Sequence, residues 1–142
     1  MFSESWDRNS IEKIEIRLHE KIGVEKRGMF YDGVGALQDV GQNHQLQMLA
    51  FTTMDSPKQF TNEAITEERI KILKSLVPHT KEIVFGQYAG YKNEKNVDPK
   101  SQIDTFYALK TFIDNDRFKD VPIYIRAGKK LSEVVVRRSE SK

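Results

Sequence analysis

His44 closes the run Gly35-Ala36-Leu37-Gln38-Asp39-Val40-Gly41-Gln42-Asn43-His44, which follows Arg27-Gly28-Met29-Phe30-Tyr31-Asp32. On an ideal wheel of 3.6 residues per turn the imidazole falls among Leu37, Val40, Met48 and Phe51, while Asp39, Gln42, Asn43, Gln45 and Gln47 crowd polar groups along the same helix. Burying an unpartnered amide or imidazole costs about 1–3 kcal/mol, so such a cluster either finds internal partners or lines a polar cavity. In the first case His44 is a satisfied core histidine with a solvated polar flank, which is the commoner arrangement. In the second it is suited to proton transfer, because an imidazole of pKa about 6.5 keeps an appreciable neutral fraction at neutral pH.

The elements that would carry these residues follow from periodicity. Ile14-Glu15-Ile16-Arg17-Leu18 alternates strictly and reads as a half-buried strand. Gly23 and Gly28 punctuate a loop, after which an amphipathic helix is predicted from Asp32-Gly33 to about Met54, closed by Ser56-Pro57. A second helix runs from Asn62 or Thr66 to Leu76 and is ended by Val77-Pro78. Glu82 to Gly86 reads as a short strand, and Gln87 to Ser101 as a loop. Thr105 to Asp114 fits either helix or strand by pattern alone.

Bulk properties narrow the classes. The chain has 142 residues, no cysteine, a formal charge of +2 and 31% charged residues of both signs interleaved. That excludes a disulfide framework and a thiolate metal site, and gives no reason to expect nucleic acid or membrane as a partner. No apolar run approaches 18 residues and no signal-like segment is present, so a reducing cytoplasmic setting is expected. Arg137-Arg138 beside Ser139-Glu140-Ser141-Lys142 reads as a solvated terminus.

The run around His44 resembles the glucose-6-phosphate dehydrogenase family, at the start of its C-terminal domain. The likeness extends from Trp6-Asp7-Arg8-Asn9 through Glu20-Lys21-Ile22-Gly23-Val24-Glu25-Lys26-Arg27-Gly28, Gly86-Gln87-Tyr88-Ala89-Gly90-Tyr91 and Thr105-Phe106-Tyr107-Ala108-Leu109-Lys110 to Val121-Pro122-Ile123-Tyr124-Ile125-Arg126-Ala127-Gly128-Lys129. It implies that residues 1–142 are part of that C-terminal domain, a truncated fragment, with the N-terminal nucleotide-binding domain absent. It also implies a strand at Thr105 to Asp114, paired antiparallel with Val121 to Ala127. The expected fold class is α+β, an antiparallel sheet with helices packed on one face.

The resemblance implies a reaction as well: oxidation of the C1 hydroxyl of glucose 6-phosphate to a lactone, with hydride passed to NADP, in the oxidative pentose phosphate pathway. By the same resemblance His44 is the general base, Glu20 and Asp39 bind sugar hydroxyls, and Lys129 contacts the substrate phosphate or neighbouring oxygens. Carboxylates as hydroxyl acceptors and a cation for an anion are chemically apt. Without the resemblance, Glu20 and Asp39 read as solvated charges at a strand end and on a helix surface. Arg126 matches a position that helps bind a second, structural NADP in some members, against the plainer reading of a strand arginine paired with a carboxylate. His19 and His79 lack metal partners and read as surface residues; no metal is expected. NADP itself would be held mainly by the absent N-terminal domain, whose orienting carboxylate and glycine-rich site are missing, so the isolated chain is expected to be inactive.

Two features depart from the family pattern. Val134 stands five residues beyond Lys129, where a Lys or Arg is usual. An ideal α-helix also sets Asp39 roughly 140° from His44, so both cannot face one sugar unless the helix widens. A π-bulge near Asp39 to Asn43, helped by Gly41, is therefore predicted. The competing function is a non-catalytic oligomerisation or scaffold module built on the same sheet, for which Glu20, Asp39, His44 and Lys129 would be dispersed. In the catalytic reading they converge, and the parent forms a homo-oligomer through the sheet. A small sugar-phosphate binding protein is a third, weaker reading.

Overall fold

A computed structural model describes residues 5–77 and 82–131. The alternating apolar residues of Ile14–His19 form β1, with Ile14 and Ile16 buried and Glu15 and Arg17 on the opposite face. A short helix, α1, spans Gly28–Asp32, and after a turn at Gly33 and Val34 the chain becomes helical again. Residues Leu37–Gln45 form a π-helix that passes directly into α2, Leu46–Thr53. Then come α3 (Asn62–Lys74), the two-residue β2 (Leu76–Val77), β3 (Ile83–Gly86), β4 (Phe106–Ile113) and β5 (Ile123–Gly128).

The five strands make one sheet in the order β1-β5-β4-β2, with β3 also paired to β4. β4 and β5 form the expected antiparallel hairpin, Thr111 opposite Ile123 and Phe106 opposite Gly128. One ladder departs from an all-antiparallel sheet: β1 runs parallel to β5, Ile14 beside Ile123 and His19 beside Gly128. The sheet is therefore mixed, and the α+β architecture stands. Ile14, Ile16, Ile123, Ile125 and Ala127 turn one sheet face toward Val40, Leu49 and Ala50 of the helical layer, and this is the core. Tyr124 and Arg126 alternate to the other face.

Three boundaries differ from the sequence reading. Gly28 opens α1 instead of marking a loop. Helix α3, capped by the Thr61 hydroxyl accepting from the Ala64 N–H at 3.2 Å, ends at Lys74 rather than Leu76. Leu76 and Val77 are drawn into the sheet, where they pair with Ile113 and Phe112, and the Thr111 hydroxyl donates to the Val77 carbonyl at 2.8 Å. Sheet pairing outweighs the propensity of one more helical turn. Pro78, His79, Val134 and the Arg137-Arg138 tail lie outside the described residues.

Candidate active site

The widened helix decides where the polar side chains go. In π bonding each N–H reaches back five residues, and at the end of the segment the Leu46 N–H donates to the Gly41 carbonyl. The predicted bulge between Asp39 and Asn43 is thus present and extends over nine residues. Its consequence is a change of stripe. With α spacing, the residue below Val40 on the buried side would be His44; with five-residue spacing it is Gln45, which is buried, and His44 turns outward and is exposed.

His44 is accordingly not a core histidine. The apolar stripe proposed around it is exposed at Met48 and Phe51, while the buried stripe consists of Ala36, Val40, Gly41, Gln45, Leu49, Ala50 and Thr53. The physical reason is satisfaction of the buried group. Gln45 Nε2 donates to the Arg126 carbonyl at 2.9 Å and more weakly to the Ile16 carbonyl at 3.4 Å, and Gln45 Oε1 accepts from the Tyr107 hydroxyl. One amide therefore ties the helix to β5, β1 and β4. No pattern in the sequence distinguishes Gln45 from its polar neighbours, and only the five-residue spacing does.

Two further contacts hold the π-helix. Asp104, from the segment before β4, accepts the Leu37 N–H on its carboxylate at 2.9 Å and the Ala36 N–H on its carbonyl at 2.9 Å, and so caps the helix from a distance. Gly35 has φ +78°, and a Cβ there would lie 2.5 Å from the Asp104 carboxylate, so glycine is required. At Gly41 a Cβ would lie 2.6 Å from the Tyr107 hydroxyl oxygen. Its bare backbone lets Tyr107 reach Gln45.

Glu20 and Lys129 meet where β1 and β5 end. Beyond the ladder, the Glu20 N–H donates to the Gly128 carbonyl at 2.9 Å and the Leu131 N–H to the Glu20 carbonyl at 2.9 Å. Their side chains form an ion pair, Lys129 Nζ to Glu20 Oε2 at 2.6 Å, with the Lys129 side chain almost wholly enclosed. The Lys129 ammonium also lies 5.2 Å from the centroid of the Tyr31 ring, a cation–π contact.

Tyr31 is fully buried, and its hydroxyl has no hydrogen-bond partner among the described residues. Burial, then the charges of Asp104 and Asp39, neighbouring Tyr91 and the charge of Glu20 all push its pKa up from the usual tyrosine value. Asp39 also faces Arg27 at 3.4 Å. His44, five residues on, returns to within about 50° of Asp39 at roughly 4.4 residues per π turn, instead of 140° away. The imidazole itself makes no hydrogen bond among the described residues.

The remaining candidates lie elsewhere. Arg126 sits on the opposite face of the sheet, half-buried, beside Arg17 in the parallel register and without a carboxylate in ion-pair range among the described residues. His19 is half-buried on β1 rather than at the surface. A cleft of about 410 Å³ along β3 is lined by Phe85, Gly86, Gln87, Gln102, Ile103 and Asp104 and contains none of the candidate site residues.

Loop 91–101 is fastened by a residue that the sequence reading overlooked. Asp32 accepts from the Tyr91 hydroxyl at 2.9 Å, the Ser101 hydroxyl and the Asp98 N–H at 3.3 Å. Desolvation works to raise its pKa, but these three bonds prevail and hold it below the ordinary carboxylate value.

The chain and its fold have known relatives. The family described as glucose-6-phosphate dehydrogenase, C-terminal domain, matches residues 1–138. The chain belongs to that family. It is 42% identical over 142 residues to glucose-6-phosphate 1-dehydrogenase of Chlamydia muridarum, covering 92% of this chain and 28% of the relative. It is 45% identical over 130 residues to glucose-6-phosphate 1-dehydrogenase 1 of Mycobacterium tuberculosis strain H37Rv, covering 91% and 28%. The crystal structure of glucose-6-phosphate 1-dehydrogenase from Mycobacterium avium superposes with a TM-score of 0.90 at 40% identity, covering 94% of this chain and 29% of that one. A glucose-6-phosphate dehydrogenase in complex with its substrate glucose-6-phosphate superposes with a TM-score of 0.86 at 35% identity, covering 93% and 29%. The chain thus spans less than a third of the length of these glucose-6-phosphate dehydrogenases.

Proposed function

We propose that this chain supplies the sugar-facing part of an NADP-dependent glucose-6-phosphate dehydrogenase, which oxidises D-glucose 6-phosphate to 6-phosphoglucono-1,5-lactone. The observation that carries the reading is the ion pair of Lys129 with Glu20 against the Tyr31 ring, with the π-helix bringing His44 back to within about 50° of Asp39. A scaffold would not need a lysine enclosed against a carboxylate and a ring at the end of two strands.

In this reading His44 accepts the C1 hydroxyl proton as hydride leaves that carbon. Its exposure is what a base needs to reach a ligand. Asp39 and Glu20 accept hydrogen bonds from sugar hydroxyls, and the Lys129 ammonium, a donor only, meets the phosphate or its neighbouring oxygens. The hydride acceptor in this reading is NADP, held mainly by a nucleotide-binding domain of the parent enzyme. Arg126, on the far face of the sheet opposite Arg17, which is itself paired with Glu15, is proposed as a contact for a second NADP, since a guanidinium suits a phosphate. A cytoplasmic setting and assembly into a homo-oligomer through the sheet complete the proposal. Among the described residues no helix is long and apolar enough to cross a membrane.

The test is titration of glucose 6-phosphate into the chain, followed by the His44 imidazole resonance, which His44→Asn assigns. A saturable shift that glucose does not reproduce and that Lys129→Met abolishes supports the reading. A folded chain whose His44 stays silent at millimolar ligand overturns the claim that these residues build the sugar site.

A further inference from the structure

The Lys129 ammonium is enclosed, with the side chain only 6% exposed, and among the described residues it meets the Glu20 carboxylate and the face of the Tyr31 ring. Glu20 alone cannot account for a useful phosphate contact. A lysine locked in a 2.6 Å ion pair gives up that pair when an anion takes the carboxylate's place, and the flexible four-carbon stem would then be free to follow Glu20 or to swing toward water. A second anchor that attracts the charge without competing for its hydrogen-bond donors would keep it in position. The face of an aromatic ring has that property, since its quadrupole attracts the cation and leaves the N–H groups free.

Tyr31 occupies that position and is unusually well fixed. Its ring is fully buried, and it packs edge-on against Tyr91, centroids 6.3 Å apart. Next along the chain, Asp32 is held by Tyr91, Ser101 and the Asp98 N–H. A hydroxyl that has no partner among the described residues contributes nothing to this fastening, so the ring is what the site uses.

We propose that Tyr31 is a positioning residue for the substrate's phosphate: its ring face holds the Lys129 ammonium in place while a sugar phosphate displaces Glu20 from it. The inference rests on the reading of Lys129 as a phosphate contact and adds the device that fixes it. Tyr31 does not touch the ligand and acts through Lys129.

The test must alter the ring's charge distribution and leave its shape, because removing a fully buried ring risks unfolding the chain. Tyr31→Phe and then Tyr31→mono-, di- and trifluorophenylalanine meet that need, each checked for folding by its circular dichroism. The readout is the dissociation constant for glucose 6-phosphate and for inorganic phosphate, measured by nuclear magnetic resonance, with Lys129→Met as the control. The expected result is that Tyr31→Phe stays within about twofold of the parent chain, that affinity falls stepwise with fluorination to about tenfold for the trifluoro ring, and that Lys129→Met abolishes binding. Equal affinities across the fluorinated series, with binding still lost in Lys129→Met, would overturn the role of Tyr31 and leave the Lys129 reading intact. Absent binding by the parent chain, or binding unchanged in Lys129→Met, would overturn both.

Discussion

Three residues, His44, Tyr31 and Asp32, carry separable predictions. In a dehydrogenase assembled with this chain, His44→Asn should lower kcat by about 10²–10⁴ with a smaller change in KM, because a base acts in the transition state more than in binding. Steady-state kinetics check this, and a mutant altered only in KM would make His44 a binding residue. Tyr31→Phe removes a buried hydroxyl that has no partner among the described residues and should leave stability unchanged or raise it by up to about 1 kcal/mol in urea unfolding. A loss instead would reveal a bound water as the acceptor. The pKa of Asp32 is depressed by three hydrogen bonds, so the stability it contributes is complete above the unfolded carboxylate value of about 4 and drains away as pH falls through the lower folded value. Acid titration monitored at Tyr91 should show loop 91–101 loosening in that range. Asp32→Asn should cost about 1–3 kcal/mol at neutral pH and remove this part of the acid sensitivity.

Among the elements, the π-helix shows both what the sequence disclosed and what it hid. The widening was legible as a conflict: two residues that the family resemblance directs to one sugar stood 140° apart on an α-wheel, and only a changed period reconciles them. Its extent and its cause were not legible. They depend on Gln45 meeting the carbonyls of Ile16 and Arg126 and the Tyr107 hydroxyl, and on Asp104 capping from sixty-odd residues away, and none of these partners is local in sequence. The same α-wheel put His44 on the buried stripe because it lacks the wider turn that five-residue bonding imposes. Gly41→Ala tests the element. Its Cβ would stand 2.6 Å from the Tyr107 hydroxyl oxygen and 2.9 Å from the adjoining ring carbon, so Tyr107 must retreat from Gln45. The expected cost is about 1–3 kcal/mol in thermal or urea unfolding. Once the Tyr107 hydroxyl no longer reaches Gln45, the backbone amide shifts from Gln42 to Leu46 should move as well. Unchanged stability and shifts would mean that the close approach does not hold the π geometry.

For the whole molecule, the strands other than β2 and the β4–β5 hairpin followed from alternation and from the family resemblance, but β2 and the parallel pairing of β1 with β5 did not. Strands β1 and β5 are more than a hundred residues apart, and alternation gives the face of a strand without naming its neighbour. The resulting sheet leaves β1 with a single partner strand, so one side of its backbone has no ladder among the described residues. On the helical layer, Met48 is 47% and Phe51 57% exposed, neighbours on one helical face three residues apart, and Phe60 is 84% exposed. A charge of only +2 provides little repulsion between copies. The chain by itself should therefore self-associate as its concentration rises, and sedimentation velocity should show the weight-average coefficient increasing across the micromolar range. Met48→Lys with Phe51→Lys adds charge on an exposed face and should shift that association to higher concentration while leaving unfolding nearly unchanged. If the double variant associates like the parent chain, the open edge of β1 is the stronger contact, and Ile16→Lys is no test of it because that side chain is core. Substitution of proline at a half-exposed β1 position, Arg17→Pro, would block pairing at that edge only if the Arg17 N–H points outward, and amide exchange at Arg17 reads that direction before the variant is made.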